Sequence, residues 1–333
     1  DLYFTVSNLR RSQLKGAAVG VEYQKAVVEI LDHPSEMVAL CGFCDTITVK
    51  EGQLYGGICS ADAVVHMLQA LGATRVAVIG GGYIGLEAAA VAAKLGLTVT
   101  LVEMAERILQ RVAAPETSAY FREVHSGHGV DIREGVGLDH LTGTEDRVTG
   151  AKLSDGSALE VDFVLVGVGI VPNTQLAEMA GVRIENGVAT DAQGRTSDPH
   201  IWSAGDCASF PMNGQQMRLE SVGNAIDQSE CVADNILGNG RPYEPKPWFW
   251  SDQYDVKLQI AGLSTGYDHI VTRQGEHGVV SFWYYAGDRL LAIDAMNDPR
   301  AYMVGKRLIE SGKSPALEAV RDPATDLKAL LKA

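Results

Sequence analysis

A chain of 333 residues is too long for one ordinary domain and long enough for two or three with cores of their own. Its 46% hydrophobic and 21% charged residues are the balance of a soluble globular protein; no apolar run approaches the ~20 residues of a membrane-spanning helix and no basic-then-apolar leader opens the chain, so a cytoplasmic protein is the default. A formal charge of −14 argues against general nucleic-acid binding, which needs clustered Lys and Arg, while leaving room for a local basic patch facing an acidic partner.

In chain order, residues 1–72 are the least legible. Val27, Val28 and Ile30, then Val38 and Leu40, predict two short strands joined through the turn sequence at 32–35. Cys41 and Cys44 have the C-x-x-C spacing of a redox pair or of half a zinc site, but Cys59, Cys207 and Cys231 are scattered singly and supply no second half. The odd total of five cysteines fits a reducing compartment. Two readings of the pair stay open: redox chemistry, or two small residues in a partly buried strand or turn. Residues 61–71 read as a helix with Val64, Leu68 and Leu71 on one face.

The most informative stretch runs from Arg75 to Glu103. Val76, Ala77, Val78 and Ile79 form the unbroken apolar run of a parallel strand covered on both faces. Gly80, Gly82 and Gly85 follow in G-x-G-x-x-G spacing: the first for a sharp turn, the second for close approach of a pyrophosphate, the third for packing of the next helix on the strand. That helix is predicted over residues 83–94, with Tyr83 and Ile84 at its exposed-amide start and Gly96 as its cap. Residues 98–102 form the second strand and Glu103 ends it, about 20 residues beyond the glycines, where a carboxylate reaches ribose hydroxyls. A carboxylate there repels the extra phosphate of NADPH, so NADH is the predicted nucleotide; Arg107 nearby is the one contrary feature.

Residues 107–125 have helical character, restarting at Glu116 after Pro115. Residues 131–134, 147–153 and 158–162 read as short strands of a small antiparallel insertion, the last two joined through Asp155-Gly156. The apolar strand at 161–166 runs into GVGIVPN, where Gly169 marks either close approach of a ligand or a plain strand-to-helix turn. A short strand at 201–203 ends in Gly205 and Asp206; Asp206 is either an acceptor for cofactor hydroxyls or an ordinary turn residue or cap. Glu220, Ser221 and Val222 precede a helix over 225–237, and three prolines mark a boundary near 246. The cluster beginning at Trp248 reads as core or as packing for a flat heterocycle. Strands at 257–261, 269–272, 279–284 and 290–295, with a turn at Gly287-Asp288, predict an antiparallel sheet, followed by a helix over 300–310 carrying Lys306 and Arg307.

Taken together, VAVIGGGYIGLEAAA, GVGIVPN, SAGDCASF, RLESVGNA and PWFWSDQYD, in this order, resemble the NADH-dependent flavoprotein reductases of [2Fe–2S] ferredoxins, members of the glutathione-reductase-like superfamily that serve bacterial monooxygenases and dioxygenases. The resemblance implies an α/β fold of two Rossmann-like domains, for FAD and NAD, plus a C-terminal α+β interface domain. The implied boundaries are 1–72 and 195–245 for the FAD domain, 73–194 for the NADH domain and 246–333 for the interface domain. It implies NADH contacts at Gly80, Gly82, Tyr83, Ile84, Gly85, Glu103 and Gly169, and FAD contacts at Gly205, Asp206, Glu220, Ser221, Val222 and Trp248. Glu87 matches a glutamate near the nicotinamide. No catalytic acid, base, nucleophile or metal is implied. A ferredoxin is expected to dock near Lys306, Arg307 and Lys313. The family's first G-x-G-x-x-G, for the FAD pyrophosphate, has no counterpart before Arg75, so the N-terminal FAD half is expected to be incomplete. Two alternatives remain: a thiol-disulfide reductase using Cys41 and Cys44, and a flavin-less NADH-binding module.

Overall fold

The computed structural model describes residues 2–14, 16–35, 38–39, 42–58, 72–144, 147–212, 214–276 and 278–332. The helix expected over 61–71 lies outside the described residues, as do Leu40 and Cys41. The chain divides into two units, one of residues 1–110 and 120–168, the other of residues 111–119 and 169–333.

The first unit opens with α1 (Leu2–Leu9), whose Val6 joins Val27, Ile47 and Leu54 in a small core. Strands β1 (Gly16–Ala18), β2 (His33–Pro34), β3 (Thr46–Lys50) and β4 (Gln53–Gly57) form a sheet in the order β1-β3-β4-β2. The strand expected around Val27 is instead a 3-10 segment, Ala26–Ile30. Only Val27 in that run is fully buried, so it lacks the second inward position that would hold it in a sheet. Val38, also expected to be extended, is helical. The β3–β4 hairpin escaped the sequence reading although its signals are present: Ile47 and Val49 point inward between exposed Thr48 and Lys50. Glu51 and Gly52 both take positive φ, 52° and 77°, as a two-residue hairpin turn requires.

The rest of this unit is a parallel sheet with an antiparallel excursion. β5 (Arg75–Ile79), α2 (Tyr83–Lys94), β6 (Thr98–Glu103), α3 (Pro115–Gly127) and β7 (Asp131–Glu134) are followed by β8 (Leu138–Thr144), β9 (Arg147–Leu153) and β10 (Ala158–Glu160), and then by β11 (Phe163–Val166). The parallel order is β11-β5-β6-β7, and β10-β9-β8 form the excursion. Residues 131–134 therefore belong to the parallel sheet, with Thr100 opposite Asp131, and not to the insertion with which they were grouped. The connection through α3 is long enough for the crossover that parallel pairing needs. Before α3 the chain is bends and turns, with Leu109 at φ 56°, so the helix expected from Arg107 begins only at Pro115. Val76, Ala77 and Val78 are at most 1% exposed, as an apolar strand covered on both faces should be. Asp162 ties the start of β11 to β5: its Oδ2 accepts from Thr74 N (2.8 Å) and Arg75 N (2.9 Å) and its Oδ1 from Arg75 Nη2 (2.9 Å). The Arg75 guanidinium and these amides hold its carboxyl well below the usual carboxylate range.

The second unit contains α4 (Gln175–Met179), β12 (Val188–Ala189), β13 (Ala208–Met212), β14 (Gln215–Met217) and α5 (Val222–Ile236). The strand expected at 201–203 is reduced to a single bridge between Arg195 and Trp202, because Gly194 (φ 88°) and Gly205 (φ 76°) turn the chain on either side. Then come β15 (Trp248–Gln253), β16 (Val256–Gly262), β17 (His269–Gln274), β18 (Val280–Ala286) and β19 (Arg289–Met296), an antiparallel sheet in the order β15-β16-β19-β18-β17, with α6 (Pro299–Glu310) and α7 (Leu317–Arg321). Asp298 caps α6 by accepting from Ala301 N (2.9 Å), and Pro299 sits in the first turn, where its missing N–H is harmless. One sheet face packs Trp283, Tyr285 and Ile293 against Tyr302, Val304 and Leu308 of α6. On the other, Asp294 Oδ2 accepts from Thr117 Oγ1 (2.6 Å) and from the Tyr284 hydroxyl, which in turn accepts from Ala114 N (3.1 Å). Arg273 pins the C-terminal segment by donating to the carbonyls of Val320, Asp322, Pro323 and Thr325.

Candidate functional site

In the first unit, β5 delivers the chain into the glycine-rich turn. Gly80 has φ 105°, and a Cβ there would strike the Gly167 carbonyl. A Cβ at Gly85 would overlap the Gly80 carbonyl oxygen, so α2 lies on the turn at a spacing only glycine permits. Gly82 differs: a Cβ there would meet nothing within 4 Å. It is the N-cap of α2, makes no side-chain capping hydrogen bond and has open space beside its Cα, at the helix end whose dipole favours an anion. Tyr83 is half-buried and Ile84 is 67% exposed on the first turn, and Glu87 is half-buried one turn later.

Glu103, at the end of β6, folds back on this turn. Its Oε2 accepts from Gly81 N (2.6 Å) and its Oε1 from Ala105 N (2.7 Å). A carboxylate offers about four lone pairs, so capacity remains for two further hydroxyls. Arg107, half-buried, reaches the Gln110 carbonyl at 3.5 Å.

In the second unit, the predicted residues gather at the start of α5. Ser221 caps the helix by accepting from Asn224 N (3.2 Å). The helix thus starts at Val222, three residues before the expected Ala225. Asp206 and Glu220 carry exposed carboxylates and Val222 is 57% exposed. Trp248 packs so closely on Gly223 that a Cβ there would lie 2.6 Å from its Nε1, and its ring stacks on that of Trp250 with centroids 5.5 Å apart. Gly169 takes φ 104° in the same unit, its nearest outside neighbour being the Arg111 guanidinium.

Two side chains that the sequence reading missed organise this edge. Arg218 donates from Nε to the Asn186 carbonyl (3.0 Å) and from Nη1 to the Asp206 carbonyl (3.1 Å), and forms an ion pair with Glu220. Gln228 accepts at Oε1 from Gly205 N (2.8 Å); among the described residues its buried Nε2 has no partner, which leaves both of its N–H donors open beside the Gly205–Asp206 turn. The Arg and Glu two residues apart in RLES were legible; the Gln228 contact, across 23 positions, was not.

The remaining candidates are less available. Lys306 is ion-paired with Glu310, Lys313 donates to the Leu331 carbonyl (3.1 Å), and Arg307 is exposed. Cys44 is fully buried and its thiol donates to the Thr46 carbonyl (3.2 Å). No helix among the described residues is long and apolar enough to cross a membrane.

Comparison with known proteins gives two family matches: pyridine nucleotide-disulphide oxidoreductase over residues 44–229, and reductase C-terminal over residues 248–331. A ferredoxin–NAD(P)(+) reductase of Sphingomonas sp is 44% identical over 263 residues, which cover 77% of this chain and 63% of that protein. The match therefore spans less than two thirds of this relative's length. Among solved structures, the ferredoxin reductase for the CYP199A2 system from Rhodopseudomonas palustris superposes with a TM-score of 0.77 at 39% identity, covering 90% of this chain and 72% of that one. The covalent putidaredoxin reductase–putidaredoxin complex gives a TM-score of 0.75 at 39% identity, covering 78% and 63%.

Proposed function

Because the chain belongs to the pyridine nucleotide-disulphide oxidoreductase family and carries a reductase C-terminal segment, we propose that it works as a flavoprotein reductase taking electrons from NADH, through FAD, to a [2Fe–2S] ferredoxin of a monooxygenase or dioxygenase. When bound, FAD supplies the conversion of a two-electron hydride donor into one-electron transfers, which no side chain performs. The observation that carries the reading is the start of α2, where an uncapped helix N-terminus opens over Gly82 while Glu103 is anchored beside it. Such a terminus suits a pyrophosphate, and a carboxylate with spare lone pairs suits ribose hydroxyls.

In this reading Gly80 and Gly85 shape the turn, Gly82, Tyr83 and Ile84 border the pyrophosphate, and Glu103 selects NADH. Gly169 adds a close approach, and Glu87 lies toward the nicotinamide. For FAD, Asp206 accepts from sugar hydroxyls, the donors left on Gln228 serve a bound polar group, and Glu220, Ser221 and Val222 with the Trp248 ring border the flavin. The domains are 1–72 with 195–245 for FAD, 73–194 for NADH and 246–333 for the interface. The partner is a ferredoxin meeting a basic surface that includes Arg307, Lys306 and Lys313, and the compartment is the cytoplasm. Support for a protein partner comes from the putidaredoxin reductase–putidaredoxin complex among the similar structures.

The test is a visible spectrum of the purified chain incubated with FAD, before and after anaerobic NADH, followed by addition of an oxidised [2Fe–2S] ferredoxin. Flavin bands that bleach with NADH and return as the ferredoxin is reduced are the expected result. A chain that binds NADH but takes up no FAD would instead be a nucleotide-binding module.

A further inference from the structure

The segment between β6 and α3 is fastened to the glycine-rich turn by groups that the assignment above does not use. Arg122, on α3, directs its fork at Glu134, at the end of β7: Nε to Oε2 at 3.1 Å, and Nη2 to Oε1 and Oε2 at 2.6 and 2.7 Å. Glu134 Oε1 also accepts from Ile108 N at 2.7 Å. Ile108 is fully buried and its side chain lies against Gly81. Next to it, Leu109 is held in the left-handed region at φ 56° and donates its N–H to the Gly81 carbonyl (2.9 Å). Gly81 N then donates to Glu103, and the loop is pinned once more where Gly135 N donates to the Ala105 carbonyl (2.8 Å). A run of contacts thus leads from Arg122 through Glu134, Ile108, Leu109 and Gly81 to the Glu103 carboxylate.

We propose that Glu134, oriented by Arg122, is a positioning residue that sets the preference for NADH over NADPH by preventing the Glu103 carboxylate from withdrawing. This rests on the dinucleotide reading of the turn. A 2′-phosphate adds a charge of about −1.5 to −2 beside Glu103, and it is admitted only if that carboxylate rotates away. Both Glu103 oxygens are bound by main-chain amides, and the amide of Gly81 is held in place by the loop. A bulky residue in the left-handed region is strained and persists only where its surroundings hold it. Without the Glu134 acceptor, Ile108 and Leu109 relax, Gly81 N loses its register and Glu103 is freed.

The experiment compares NADH and NADPH dissociation constants, read from nucleotide fluorescence on binding, for the wild-type chain and for Glu134→Ala, Glu134→Gln and Arg122→Lys, alongside urea unfolding of each. Neither readout requires flavin or turnover. The wild type should favour NADH by tenfold or more. Glu134→Ala should shrink that ratio roughly tenfold, the size of effect expected from losing a charge-assisted hydrogen bond, mainly through tighter NADPH binding. Glu134→Gln, which keeps an acceptor for Ile108 N, and Arg122→Lys, which keeps the charge, should fall between. If Glu134→Ala does not fold, these two variants decide: a narrowed ratio supports the proposal and an unchanged ratio overturns it. Equal loss of both nucleotides, the mark of a merely structural role, also overturns it. A wild-type chain that binds both nucleotides equally removes the inference but leaves the dinucleotide reading intact, whereas one that binds neither removes both.

Discussion

The glycine-rich turn of the first unit and the α5 edge of the second are built by different means. At the turn, positions are set by what the backbone excludes: Gly80 and Gly85 leave no room for a Cβ, and Gly82 leaves open space at the N-cap of the helix. At the α5 edge they are set by side chains: Arg218 bridges the Asn186 and Asp206 carbonyls and Glu220, and Gln228 holds Gly205. A site made of backbone tolerates almost no change at its glycines, and side chains from afar serve to hold the loop beside it. One made of side chains is more tolerant at each position and depends on residues distant in sequence.

The largest effect that would sharpen this contrast is at the turn. Gly85→Ala should destabilise the first unit by about 3 kcal/mol, because the added methyl overlaps a carbonyl in a packed interior. Gly82→Ala, with open space around it, should leave stability within about 0.5 kcal/mol yet weaken NADH by at least roughly tenfold. Urea unfolding and NADH titration of the pair separate the two roles. Full NADH affinity in Gly82→Ala would remove the pyrophosphate from that space.

A comparable effect is expected from Asp294, where burial pushes the carboxyl up from 3.8 to about 6. The folded state then holds this proton more tightly than the unfolded chain. Its contribution to stability is complete below pH 3.8 and is lost as pH rises through about 6, a change of about 3 kcal/mol. Asp294→Asn should lack that dependence, so the stability difference between wild type and variant should shift in favour of the variant between pH 4 and 7. Parallel unfolding profiles would show that Asp294 does not titrate in this window.

The smallest effect concerns Arg218. Arg218→Ala should cost about 2 kcal/mol, the scale of charge-assisted bonds to carbonyls, and should weaken FAD while sparing NADH. Arg218→Lys retains the charge facing Glu220 but lacks the fork that reaches two carbonyls, so it should recover only part of the loss. FAD and NADH titrations check this, and an equal loss of both nucleotides would break the separation between the two regions.

Much of the fold was legible where local chemistry dictates it. The apolar run of β5, the glycine spacing, the Asp155-Gly156 turn and the strands of the C-terminal sheet stand close to where patterning put them. Less was legible where a tertiary partner decides. The run at Val27 became a 3-10 segment, β7 joined the parallel sheet, and the segment at Arg107 became a loop with Leu109 left-handed.

The sequence by itself determined the β5–α2–β6 unit with its acid at Glu103, because strand burial, glycine sterics and helix capping all act over neighbouring residues. Only the tertiary structure decided that Glu103 turns back onto Gly81, that Arg122 and Glu134 hold the loop beside it, and that Arg218 and Gln228 organise the start of α5. Those contacts join residues up to 32 positions apart, and a hydrogen bond between groups distant in the chain leaves no period in the sequence.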